Sequence, residues 1–97
     1  MLTSKQRANL RSLAQKIEPV TQMGKGGITD AFIEGLDKAI EKRELIKVTV
    51  LENSDADPKV AGQEMAIALS AEFVCATGRK VVLYRRSTSD KVVHIEF

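Results

Sequence analysis

The stretch Glu44-Leu45-Ile46-Lys47-Val48-Thr49-Val50-Leu51 constrains the fold more than any other part of the chain. Ile46, Val48 and Val50 recur at every second position, with Lys47 and Thr49 between them. A strand with that alternation buries one face and leaves the other wet. Its dry face needs helices, and the flanking sequence supplies them. Thr29 is placed to cap a helix running to about Arg43, with Phe32, Ile33, Leu36, Ala39 and Ile40 as its apolar stripe. Asp57-Pro58 opens another, running to about Ala71, that buries Ala61, Met65, Ala68 and Leu69. An earlier helix over 4–17 aligns Leu10, Leu13, Ala14 and Ile17 and ends ahead of Pro19.

Shorter strands complete the set. Val20–Met23 precedes a glycine cluster, and Phe73–Ala76 and Lys80–Arg86 flank a hairpin at Thr77-Gly78-Arg79. Val92–Phe97 alternates weakly, as an added edge strand or a tail. The order αβαβαββ with one wet sheet face predicts a two-layer α/β sandwich rather than a doubly wound sheet. Helices two and three share a side only if the strand order keeps running one way. With 97 residues the chain is expected to be one domain over 1–87, followed by a tail or edge strand at 88–97.

Several function classes drop out. No apolar run approaches the roughly 20 residues that span a bilayer, and the first residues lack the apolar stretch of a secretory signal. A lone cysteine, Cys75, forms no internal disulfide, and with His94 it makes no zinc set. The expected setting is the cytosol, with no membrane partner, no cofactor and no metal. No nucleophile, base and orienting group can be assembled, so the chain is not expected to be an enzyme. Asp30, Glu34, Asp37 and Glu41 form the solvated back of a helix, with Glu34 and Lys38 spaced to pair. Phe32 and Phe73 read as core, which leaves Tyr84 as the aromatic able to stack a base; no paired platform exists.

The formal net charge of +2 conceals an asymmetry. Residues 1–27 carry five cations against one anion, residues 28–72 five against ten, and residues 73–97 five against two. If folding brings the ends together, one side is basic and presents a face to a polyanion. Arg7 and Arg11 share one flank of the first helix, with Lys5 on the other; Arg79, Arg85 and Arg86 come from the far end.

Gly24-Lys25-Gly26-Gly27 lies between a strand and a helix start. Glycines let backbone amides approach a phosphate, and Lys25 adds a cation at the tip. The pattern fits a GxxG clamp on a sugar-phosphate backbone better than a nucleotide-hydrolysing loop, because no Lys-Ser/Thr follows the last glycine. A tight turn without a ligand is the plain alternative.

These stretches carry a resemblance. Leu10-Arg11-Ser12-Leu13-Ala14, Pro19 through Thr29, Arg43-Glu44-Leu45-Ile46-Lys47-Val48, and Thr77 through Ser87 resemble the YhbY-type RNA-binding proteins, stand-alone CRM (chloroplast splicing and ribosome maturation) domains, over about residues 2–87. The family's GxxG glycines fall on Gly24 and Gly27, with Gly26 an additional glycine between them. The resemblance implies a fold like the C-terminal domain of the third bacterial translation initiation factor, a four-stranded mixed sheet with helices on one side. It implies RNA binding through Gly24, Lys25, Gly26, Gly27 and basic residues drawn from Lys5, Arg7, Arg11, Arg79, Arg85 and Arg86. Its partner would be ribosomal RNA of large-subunit precursors, bound by a monomer that assists assembly. A competing expectation is a protein-interaction domain that docks through its open sheet face.

Overall fold

In a computed structural model that describes residues 2–97, the first helix, α1 (Ser4–Ala14), opens on a capping box. The Thr3 hydroxyl accepts from the Gln6 amide at 3.1 Å, and the Gln6 side chain accepts from the Thr3 amide at 3.0 Å. The helix ends three residues before the predicted Ile17 because the amides of Gln15, Lys16 and Ile17 bond three residues back, tightening the chain into turns. Ile17 keeps its packing role regardless.

Strand β1 (Thr21–Met23) leads to α2 (Asp30–Arg43), where the Thr29 hydroxyl accepts from Phe32 N at 3.1 Å as its cap. Next come β2 (Leu45–Val50), a 3-10 turn (Glu52–Ser54) and α3 (Pro58–Leu69), capped by Asp57 through Lys59 N at 2.9 Å. The chain closes with β3 (Glu72–Thr77) and β4 (Lys80–Tyr84). The strands order as β1-β2-β4-β3, with β1 parallel to β2 and β4 antiparallel to both neighbours. From β1 through β2 to β3 the order runs one way, with β4 inserted between the last two. That satisfies the condition for α2 and α3 to share a side.

The period-two pattern of β2 places the core. Ile46, Val48 and Val50 join Val81 and Leu83 of β4, Leu36 and Ile40 of α2, and Ala61, Met65 and Leu69 of α3. Gly62 permits the close approach of α3 to the sheet, since a Cβ there would lie 2.6 Å from Phe73 Cε1 and 3.0 Å from Val81 Cγ1. We expect Gly62→Ala to cost about 1–3 kcal/mol in chemical denaturation, through overpacking rather than helix propensity. Ala68, expected in this core, is exposed, as is its neighbour Ile67.

The helices do not all lie on one face. Leu10 and Ala14 of α1 pack with Leu45, Val74, Val82 and Tyr84, the residues of alternate parity, on the face of the sheet opposite α2 and α3. Half of the face expected to be wet is therefore covered. The chain after β4 helps to cover it: Ile95 and Phe97 join this second cluster, and residues 88–97 form no strand, so they are a packed tail. Tyr84 is buried there, its ring edge-on to Phe97 with centroids 4.8 Å apart, and so is not free to stack a base.

Glu44 anchors the tail. It ends α2 in a positive-φ conformation (φ 66°) and is fully buried. Its carboxylate accepts from Ser87 N at 2.7 Å, Ile95 N at 2.8 Å and His94 Nδ1 at 2.5 Å. His94, which has no companion apparent in the sequence, thus has one in the fold. Burial pushes the Glu44 carboxyl up, but the His94 bond, the two amides and the histidine charge outweigh it and leave it below its usual range. One turn earlier Glu41 accepts from the Thr88 amide at 2.8 Å and hydroxyl at 3.0 Å, and these bonds hold its carboxyl low.

Candidate functional site

The glycine segment is a solvent-facing turn at the C-terminal end of β1. Gly27 N donates to Gly24 O at 3.0 Å, so Lys25 and Gly26 occupy the exposed tip. Gly27 adopts φ 68°, a left-handed conformation that favours glycine. No side chain would crowd a Cβ at Gly26 or Gly27, which leaves their backbone open to a ligand.

The turn leans on a braced loop. Leu51 N donates to Met23 O at 2.9 Å, and a Cβ at Gly24 would lie 3.8 Å from Leu51 Cδ1. Arg79, at the tip of the β3–β4 hairpin, donates from Nε to Val50 O at 2.8 Å and from Nη2 to Leu51 O at 2.8 Å and Ala56 O at 3.3 Å. Its donors tie down the loop after β2, so Arg79 supports the glycine turn from beneath.

Two other arginines are engaged in the same way. Arg7 Nη1 donates to the carbonyls of Phe73 and, at 3.2 Å, Val74, fastening α1 to β3. Arg85 Nη1 reaches Asp37 Oδ1 at 2.7 Å and Leu69 O at 2.8 Å, tying the end of β4 to α2 and α3. The basic residues that the resemblance implies at the site are therefore not all brought together. Arg7 is at β3 and Lys25 follows β1, the two opposite edges of the sheet. Three strand spacings, about 14 Å, separate those edges.

What the fold does bring together is a different set of cations. In the half of the second face that α1 leaves open, a groove of about 240 Å³ is lined by Arg11, Gln15, Lys47, Lys80 and Thr77 over Ala14, Cys75 and Val82. It has three cations and no acidic lining residue. Register explains the assembly: Lys47 pairs with Val82, and Thr49 with Lys80, so these side chains share the face opposite Ile46 and Val48. Gln22 of β1 pairs with Thr49 and extends the polar face toward the glycine turn. Lys47 escaped sequence reading because it appeared there only as the polar half of an alternation. Lys5 and Arg86 are exposed but do not line the groove. Among the described residues, no group of three or more histidines, cysteines or carboxylates is placed to hold a metal, and no helix is long and apolar enough to cross a membrane.

A mixed four-stranded sheet with a glycine turn at its end and cations on its open face defines a class of small α/β domain. Residues 2–85 match the CRS1 / YhbY (CRM) domain, and the chain belongs to that family. A Bacillus subtilis protein named "Probable RNA-binding protein YqeI" is 38% identical over 95 residues, which span 98% of this chain and 99% of that protein. A Haemophilus influenzae protein named "RNA-binding protein" is 30% identical over 94% of this chain and 92% of its own length. The solution structure of the hypothetical protein SAV1595 from Staphylococcus aureus matches with a TM-score of 0.67 at 38% identity, over 98% of this chain and 100% of that one.

Proposed function

We propose that this protein binds RNA without catalysis, along a track from the Arg11–Lys47–Lys80 groove to the glycine turn. The observation that carries this reading is the groove: three cations from three elements, unaccompanied by an acid, on the same sheet as an exposed glycine turn tipped by Lys25. Cations supply sequence-independent, salt-dependent affinity, and exposed amides fix the backbone's register. The names of the relatives support the ligand class. Within it, we assign ribosomal RNA of large-subunit precursors as the target and assembly of that subunit as the role, acting as a cytosolic monomer. The phosphate-contacting set is Gly24–Gly27 with Lys25, Arg11, Lys47 and Lys80, while Lys5 and Arg86 extend the basic surface. The tail 88–97 serves the fold. Docking of a protein on the open sheet face fits less well, because α1 and the tail cover its apolar half and the remainder is cationic.

Crosslinking in cells followed by sequencing of the attached RNA tests the assignment. The expected reads map to large-subunit precursor RNA, and Lys25→Ala lowers their yield without lowering the amount of folded protein. Crosslinks to protein alone would overturn it.

A further inference from the structure

Beside the glycine turn, on the side of the sheet that α3 covers, is an open cleft of about 440 Å³, a size typical of small-molecule sites. Its apolar lining is Met23, Ile28, Val60 and Ala61, and its acidic residues are Asp57 and Glu64. Helical spacing builds one wall, since Asp57, Val60, Ala61 and Glu64 recur along one face of α3. Arg79 holds another through its bond to Ala56 O at 3.3 Å.

The composition selects its occupant. Two carboxylates repel phosphate, while apolar walls accept the faces of a planar ring. Asp57 uses Oδ1 to cap α3, leaving its second oxygen, and Glu64 makes no hydrogen bond or ion pair among the described residues. Carboxylate oxygens only accept, so the ligand must donate. Among the RNA bases, guanine alone sets two adjacent donors, N1–H and the N2 amino group, along its pairing edge. Adenine and cytosine set a ring acceptor beside their amino group, and uracil flanks its N–H with two carbonyls.

We infer that this cleft receives an unpaired guanine whose backbone lies on the Gly24–Gly27 turn, a specificity that rests on the RNA-binding reading above. The test is fluorescence anisotropy at fixed salt with a labelled oligouridine carrying one central guanosine, inosine, adenosine or cytidine. The guanosine oligomer is expected to bind about 5- to 150-fold more tightly than the adenosine one. Inosine, which lacks the amino group, falls between them. Glu64→Gln and Asp57→Asn each collapse the preference, and asparagine still caps α3; thermal unfolding reports that the fold is kept. Equal affinity for every oligomer, a preference for another base, or a guanosine preference untouched in both variants overturns the guanine site while leaving RNA binding intact. No binding to any oligomer overturns both.

Discussion

Replacing Glu44 by alanine is expected to destabilise the domain by about 2–5 kcal/mol, at about 1–3 kcal/mol for each buried donor left without its acceptor. Two buried or half-buried amides, Ser87 N and Ile95 N, lose their acceptor, and His94 loses its partner. The loss would be a large fraction of the total stability of a small domain, and each kcal/mol shifts the melting temperature by about 4–8 °C. Glu44→Gln keeps one acceptor oxygen and should lose less. The effect is also pH-dependent. The folded state holds this carboxyl below the ordinary value of 4.5, so the unfolded chain binds more protons. The contribution is fully present above about pH 4.5 and is lost as pH falls through the depressed folded value. Urea denaturation of wild type and variant across that window checks it. A variant that loses less than about 1 kcal/mol, or a difference that does not shrink in acid, would show that the tail is not anchored through this carboxylate.

The second large effect is on binding. Substituting alanine for Arg11, Lys47 and Lys80 together should lower the salt slope of RNA affinity by about 2, taking about 0.7 for each single-strand phosphate contact. Counterion release then assigns about a 50-fold loss of affinity at physiological ionic strength to the three residues. Filter binding over a range of salt concentrations measures both quantities on the same samples. Because Lys47 is only half-buried and the other two are exposed, the fold should survive. An unchanged slope would move the track off this face. Triple neutralisation is more informative than Arg7→Ala, since Arg7 fastens α1 to β3 and its removal confounds binding with stability.

Local rules made most of the fold legible. The alternation at Ile46, Val48 and Val50, the caps Thr29 and Asp57, and the hairpin at Gly78 each depend on residues within a few positions, and each appears as expected. The side chosen by α1 was not legible. Its stripe of Leu10, Leu13 and Ala14 states that one face is buried but not against which face of the sheet. The partners of the arginines were not legible for a related reason. Arg7, Arg79 and Arg85 direct donors to backbone carbonyls as many as 67 residues away, and a carbonyl leaves no mark in a sequence. A cation with such a partner reads as free. Glu44 was hidden likewise, because two of its three partners are amides and the third, His94, is 50 residues on. The glycine turn was legible because its backbone requirement is written directly in residue type.

The fastening of Arg7 also bears on how copies of this protein coexist. Strand β3 is an outer strand of the sheet, and its register shifts between Phe73 and Cys75. Outer strands with unoccupied carbonyls can template a neighbouring chain into fibres, and irregular register discourages such growth. The guanidinium claims the carbonyls of Phe73 and Val74 at that irregularity. The same side chain that locks the first helix in place therefore also takes up two carbonyls of an outer strand, which would otherwise be acceptors for another chain.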